Sequence, residues 1–246
     1  MWIIKDALSL SWGLGRSKVP GEYKSVFDII GPVMVGPSSS HTAGAVAIGR
    51  AARHLIGGLP QSVRIDYYES FAQTHLGHGT DYAIVSGLLG YAPDDGRVPQ
   101  AVSIARDQGV HIEFCEKEGP SPIGHPNTAV LHMQRQQRKM TIYGCSIGGG
   151  IVEIRRIQMA GYDLQTEGML PLLLVEEMDQ SLSNDGQDKG DRIADSIRAA
   201  GALRQSNTYR SGDGNSSIHV YDLDKPLLPE LLQQISRYAP NMIYIN

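Results

Sequence analysis

The chain has 246 residues, which is enough for one or two domains of ordinary size. Hydrophobic residues make up 41% and charged residues 20%, so the composition predicts a packed core rather than disorder. The formal charge of −4 lacks the basic excess that binding to a phosphate backbone needs, and no apolar run reaches the roughly 18 residues of a membrane span. We therefore expect no nucleic-acid partner and no membrane insertion.

Cys115 and Cys145 are the only cysteines of the chain. They lack the C-x-x-C spacing of a zinc or redox site, and two thiolates cannot hold a whole iron–sulfur cluster, which commonly takes four. We expect two buried or free thiols in a reducing cytoplasm. The first residues resemble no export signal, because charges interrupt their short apolar pieces, so residues 1–22 are predicted to be a disordered extension of a cytoplasmic protein.

The body of the chain begins at Tyr23. Periodicity predicts, in chain order, a helix that starts at the serines of 38–40 and ends at Gly57, a strand over 62–70, a short helix over 81–90, a helix over 99–108 and a strand over 111–116. Two strand-like runs then flank the basic turn 135–139, which is typical of a hairpin. Mixed helices and strands in this order predict an α+β domain that ends between Ile157 and Glu167.

The remaining residues are predicted to form a second unit. Strand-like and helical patterns alternate there as βαββαβ, the order of a ferredoxin-like domain. We place the boundary between the two units at 167/168, which gives a first domain over 23–167 and a second over 168–246.

The strongest local signal is GPSSSHTAG, Gly36 to Gly44. It places three serines, an imidazole and a threonine at the N-terminus of a predicted helix, where unpaired N–H groups and the helix dipole favour a carboxylate or phosphate. Ordinary N-capping is the simpler explanation for one serine, but three serines followed by His41 exceed what a cap requires.

The second signal is THLGHGTD, in which glycines flank His78 and allow a close approach of the backbone to a ligand. Asp81 could orient the imidazole of His78, as an acid–base residue requires. A plain turn with exposed histidines explains the same residues. A zinc site built on His75 and His78 also stays open, although a third ligand is not evident.

The third signal is GHPNT, Gly124 to Thr128. His125 precedes a proline and is therefore biased towards an extended backbone, and Asn127 supplies both a donor and an acceptor. A plain loop is the simpler interpretation of this segment alone. Three separate segments, however, each place a histidine beside glycine, proline or a hydroxyl.

Four segments together, SVFDIIGPVMVGPSSSHTAG, QTHLGHGTD, GPSPIGHPNT and YGCSIGGG, resemble the β chain of bacterial iron–sulfur-dependent L-serine dehydratase (L-serine ammonia-lyase). The resemblance implies a β domain similar to the allosteric substrate-binding domain of some phosphoglycerate dehydrogenases, followed by an ACT domain. It also implies a two-chain enzyme that converts L-serine to pyruvate and ammonia. A [4Fe–4S] cluster, held by cysteines of the partner α chain, would act as the Lewis acid.

The reaction needs a base for a weakly acidic α-proton and a site for the substrate carboxylate. On this resemblance we expect His78 to be the base with Asp81 as its orienter, although His41 and His78 could exchange roles. His41 and His125 would assist proton transfer at the leaving hydroxyl. The predicted substrate-binding residues are Ser38, Ser39, Ser40, Thr42 and Asn127, and no metal ligand is expected in this chain. The alternative is a regulatory module that binds an anion or amino acid and breaks no bond.

Overall fold

The computed structural model describes residues 33–178, 189–212 and 216–246. The predicted extension over 1–22 and the start of the body at Tyr23 lie outside these residues. Among the helices described, none is both long and apolar enough to span a membrane.

The first part of the described chain mixes helices and strands. A π-helical turn over Ser39–Gly44 continues directly into the first α-helix, and a 3₁₀ turn over Val98–Gln100 leads into the fourth. The elements are α1 (Ala45–Ile56), β1 (Ser62–Tyr68), α2 (Glu69–His78), α3 (Thr80–Leu89), α4 (Ala101–Asp107), β2 (His111–Lys117), β3 (Thr128–Arg135), β4 (Arg138–Gly148), β5 (Ile151–Met159) and β6 (Tyr162–Met169).

These six strands form one sheet in the order β2-β1-β3-β4-β5-β6. The β1–β2 pair is parallel and all the other neighbours are antiparallel. Alternate residues of β1 point to opposite faces: Val63, Ile65 and Tyr67 enter the main core with the apolar side of α1, whereas Arg64 is exposed. The helices therefore cover one face of the sheet, which is where the candidate site lies.

The second part has the element order βαββαβ that the sequence predicts. Its elements are β7 (Leu172–Met178), α5 (Lys189–Ala199), β8 (Leu203–Arg210), β9 (Ser216–Leu223), α6 (Pro229–Tyr238) and β10 (Ile243–Ile245). The strand order in the sheet is β10-β7-β9-β8. One face packs against α5 and α6, and the other face, which includes Leu174, Val220 and Ile245, joins the core of the larger sheet.

The α+β class is confirmed, and two local differences from the prediction stand out. Residues 69–78 form helix α2, whereas the sequence indicated a strand end followed by a turn. Strand β6 runs to Met169, two residues beyond the predicted boundary at 167/168. The polar, weakly alternating pattern of β6 hid this strand, which pairs with β5 in a hairpin around Ala160 and Gly161.

Candidate active site

His41 lies in the first turn of the long helix that continues as α1. Ser38 is the N-cap residue, with extended backbone, and its Oγ accepts a hydrogen bond from the backbone N–H of His41 at 3.4 Å. The capping explanation therefore holds for Ser38. The next six residues form a π-helical turn, a local widening that is common at functional sites. Ser39 and Ser40 stay partly exposed in this turn.

The ring of His41 is buried among residues of α2. Its Nδ1 lies 3.2 Å from Ser38 Oγ, and its Nε2 lies 2.8 Å from Thr74 Oγ1. The ring centroid is 5.1 Å from that of Phe71 and 4.7 Å from that of His78, which meets it edge to face. Burial, and then the charge of His78, lower the pKa of His41 below the usual 6.5, so this imidazole is held neutral.

His78 is the last residue of α2 and is partly buried. Gly79 follows in the left-handed conformation and ends the helix, as a glycine after a helix commonly does. The Nδ1 atom of His78 is buried and has no hydrogen-bond partner among the described residues. The structure thus brings His41 and His78 together, as two imidazoles in one cluster.

Asp81 has a different partner from the one predicted. Its carboxylate lies 2.7 Å from Nδ1 of His75, and Glu116 lies 2.9 Å from Nε2 of the same ring. The expected pairing of Asp81 with His78 is replaced because His75, one turn earlier on α2, faces α3 and β2. Burial alone would lower the pKa of His75, but the hydrogen bonds to Glu116 and Asp81 and their charges outweigh burial and raise it.

The zinc alternative finds no support in this arrangement. Both ring nitrogens of His75 already meet carboxylates, so neither is available to a metal ion. Within the described parts of the chain, no group of three or more histidine, cysteine, aspartate or glutamate side chains is placed to hold a metal.

The GHPNT segment closes another side of the cluster. The carbonyl of Pro126 accepts a hydrogen bond from the backbone N–H of Phe71 at 3.3 Å, which ties this loop to α2. His125 Nδ1 accepts the backbone N–H of Asn127 at 3.2 Å, so the neutral ring carries its proton on Nε2. Burial, and then the charge of Arg155, lower the pKa of His125.

Asn127 connects this loop to the end of β4. Its Nδ2 donates to the carbonyl of Ser146 at 3.3 Å, and its own carbonyl accepts the backbone N–H of Ser146 at 3.0 Å. Ser146 in turn packs against Gly44, where an added Cβ would overlap its hydroxyl. Described residues from all four segments singled out in the sequence are therefore linked by direct contacts.

Thr42 is placed differently from the other hydroxyls. Its side chain is fully buried, and an added Cβ on Gly36 would overlap it. Its Oγ1 has no hydrogen-bond partner among the described residues. Ser39 and Ser40 are therefore better exposed for a ligand than Thr42 is.

Three residues of the cluster were missed in the sequence: Phe71, Thr74 and Ser146. Thr74 and Ser146 lie inside two of the quoted segments, QTHLGHGTD and YGCSIGGG, but hydroxyls beside more conspicuous histidines and glycines gave no separate signal. Phe71 could have been noticed as one of only three phenylalanines in the chain.

The two cysteines do not fit a cluster-binding role. Cys115 lies on β2 and Cys145 on β4, with β1 and β3 between them in the sheet. Three strand spacings of about 4.8 Å place β2 and β4 roughly 14 Å apart, so the two thiols do not converge. Burial raises the pKa of Cys145 to about 11, which disfavours the thiolate that a metal needs.

Comparison with known proteins identifies the family. The serine dehydratase beta chain family model matches residues 25–156. The chain is 47% identical to the probable L-serine dehydratase, beta chain, of Bacillus subtilis (strain 168) over 225 residues, which cover 91% of this chain and 97% of the relative. It is 35% identical to the L-serine dehydratase, beta chain, of Peptoniphilus asaccharolyticus over 157 residues, which cover 63% and 69%.

A shorter match joins this chain to a longer protein. It is 35% identical to L-serine dehydratase 2 of Escherichia coli (strain K12) over 108 residues, which cover 42% of this chain and 23% of that protein. The family model spans more than half of the present chain, and the Bacillus relative is covered almost completely. The chain belongs to the serine dehydratase beta chain family.

Proposed function

We propose that this chain is the β subunit of an iron–sulfur L-serine dehydratase, which removes water from L-serine to give pyruvate and ammonia. The observation that carries the proposal is the pair of imidazoles, His41 and His78, whose centroids lie 4.7 Å apart at a helix N-terminus rich in hydroxyls. The names of the relatives support the substrate and the reaction. A binding module would need the hydroxyls but not the paired imidazoles.

In this proposal the helix N-terminus receives the substrate carboxylate. Ser39 and Ser40 are partly exposed in the first turn, where backbone N–H groups lack partners within the helix. Hydroxyl and N–H donors together with the positive end of the helix dipole suit one negative charge. Ser38 would act through His41, which its hydroxyl faces.

His41 is the base in this proposal, and it takes the role first expected of His78. The lowered pKa of His41 supports the exchange, because only a neutral imidazole can accept the α-proton. The proton would be accepted at Nδ1, the ring nitrogen that faces Ser38 Oγ at 3.2 Å. His78 faces the ring from the side, and His125 carries an N–H at Nε2 that can serve the leaving hydroxyl.

The iron–sulfur cluster would be held by the partner α chain, because the two cysteines of this chain do not converge and burial disfavours the thiolate of Cys145. This chain would then supply the carboxylate site and the proton-transfer groups, and the two halves would meet in the complex. The βαββαβ unit we propose to be an ACT-type domain, which its strand order β10-β7-β9-β8 supports. A crystal structure with another strand order would contradict that assignment.

The experiment is pyruvate formation by the anaerobically co-purified α and β chains. We expect His41→Asn to lower kcat by about 10²- to 10⁴-fold, the usual loss for a general base. His111→Asn is the matched control, because His111 is exposed at the start of β2, and it should leave kcat unchanged. Full activity of the α chain alone, or wild-type kcat in His41→Asn, would refute the proposal.

A further inference from the structure

Thr74 makes two hydrogen bonds that fix its direction. Its Oγ1 lies 2.6 Å from the carbonyl oxygen of Ser70, one turn earlier on α2, and 2.8 Å from Nε2 of His41. A carbonyl can only accept, so the single hydroxyl proton of Thr74 is donated to Ser70. Towards His41 the threonine oxygen must therefore accept, and the hydrogen must reside on Nε2.

The other side of the ring is consistent with this assignment. With its proton on Nε2, a neutral His41 carries its lone pair on Nδ1, which faces Ser38 Oγ at 3.2 Å. Ser38 can donate its hydroxyl proton to Nδ1 while its oxygen accepts the backbone N–H of His41. The hydrogen bonds then run in one direction, from Ser38 through His41 and Thr74 to the carbonyl of Ser70.

We propose that Thr74 is a positioning residue that selects the Nε2–H tautomer of His41 and so directs the lone pair to Nδ1, on the side of Ser38. This inference rests on the proposed function, in which His41 accepts a proton. It adds the atom that accepts it and the residue that determines this choice. When Nδ1 gains a proton, Thr74 keeps its hydrogen bond, because Nε2–H is present in both states of the ring.

The surroundings of His41 leave few other groups that could set its tautomer. His78 is the titratable group that faces the ring, edge to face, and Phe71 offers no hydrogen-bonding atom. The ring itself is buried, so water does not replace Thr74 freely at Nε2. The same ring nitrogen has no second hydrogen-bonding partner within the part of the chain described here.

The first test needs no activity. In the full chain labelled with ¹⁵N-histidine, the His41 ring signals are assigned by their loss in His41→Asn. In the wild type and in Thr74→Ser we expect Nε2 to be protonated and Nδ1 to be unprotonated. In Thr74→Val, which keeps the shape and removes the acceptor, the two signals should move towards each other as the Nδ1–H tautomer gains population.

The second test uses the complex with the α chain. Thr74→Val should lower kcat by about 3- to 10-fold, as expected from one neutral hydrogen bond, with a smaller change in KM and a displaced acid limb of the pH profile. Thr74→Ser should restore both. Thr141→Val is the matched control, because Thr141 Oγ1 lies 3.1 Å from Nδ1 of His132 on β3, away from the site, and it should change neither.

The two results separate this inference from the proposed function. An unchanged tautomer in Thr74→Val, or a tautomer change that leaves kcat and the pH profile at wild-type values, overturns the role of Thr74. Wild-type activity of His41→Asn overturns the proposed function instead. The tautomer measurement on the chain by itself does not depend on that outcome.

Discussion

Helices α1 and α3 cross with their backbones almost in contact, and this crossing allows a stability prediction with a defined sign. At the crossing, Gly49 of α1 faces the carbonyl of Ile84, and Gly87 of α3 faces the carbonyl of Val46. A Cβ at either glycine would lie well inside 3.0 Å of a backbone oxygen, a distance that real Cβ atoms essentially never show. A backbone oxygen cannot rotate away as a side chain can.

The perturbation is Gly87→Ala, for which two effects oppose each other. Alanine favours a helix over glycine by about 1 kcal/mol. Against this, the helices must separate by roughly 1 Å, and overpacking of a close-packed core costs typically about 1–3 kcal/mol, occasionally more. Packing should prevail, because the obstacle is main chain on both sides, and we expect a net loss of up to about 2 kcal/mol.

Gly77→Ala is the matched control for this prediction. Gly77 lies in α2, and a Cβ there would meet nothing within 4 Å. The same substitution should therefore stabilise the chain there, by up to about 1 kcal/mol, because only helix propensity acts. The same glycine-to-alanine substitution is thus expected to lower the stability at position 87 and to raise it at position 77.

The assay is thermal and denaturant unfolding of the full chain and both variants. For a chain of this size, 1 kcal/mol corresponds to about 2–4 °C in Tm, so Gly87→Ala should melt several degrees lower and Gly77→Ala slightly higher. In the complex, Gly87→Ala should also lower kcat, because α1 continues directly from the π-helical turn that contains His41 and α3 follows His78. A Gly87→Ala chain as stable as Gly77→Ala would refute the reasoning.

Three further predictions concern pH. Because the pKa of His75 is raised, its ion pairs stabilise the fold fully below pH 6.5 and less as the pH rises through the raised pKa. His75→Asn should therefore cost most stability at pH 6. An equal cost at pH 9 would contradict this. Burial raises the pKa of Asp222 to about 6, so ionisation of Asp222 should lower the stability of the wild type as the pH rises from about 4 through 6. In urea unfolding, Asp222→Asn should abolish this loss and be the more stable form at pH 7. In the complex, the acid limb of the kcat/KM profile should lie below pH 6.5, because burial and the charge of His78 lower the pKa of His41. His78→Asn should move this limb to higher pH. An unmoved limb would count against the coupling of His41 and His78.

Hydrophobic periodicity predicted those elements in which buried apolar residues recur at regular intervals along the sequence. Helix α1 is an example, because eight of its twelve residues are buried, and the alternation in β1 follows the two faces of the sheet. Helix α2 escaped prediction since only Phe71 and His75 of its ten residues are buried. Its first residue, Glu69, has a positive φ, and its carboxylate accepts the backbone N–H of Ser121, so tertiary contacts determine where this helix starts.

In the candidate site, too, the sequence predicted which residues take part but not how they pair. Residue types at helix starts and beside glycines located His41, His78 and His125, because such positions have recognisable chemistry. The pairing inside the cluster depends on which side chains face each other across 33 residues of chain, as His41 and Thr74 do. Likewise, a choice between His75 and His78 as partner of Asp81 requires the rotation of α2, which no local pattern contains.

Two glycines, one just before α1 and one within it, explain how the site can be both rigid and open. Gly44 allows the helix start to pass Ser146 of β4, and Gly49 allows the same helix to touch α3. Each glycine costs about 1 kcal/mol of helix propensity, so close packing must offset it. Because both close approaches lie on the helix that begins beside His41, its position relative to α2 and β4 is fixed by backbone contacts. The partly exposed side chains of Ser39 and Ser40 can then contact a ligand, because they are not needed to hold the helix in place.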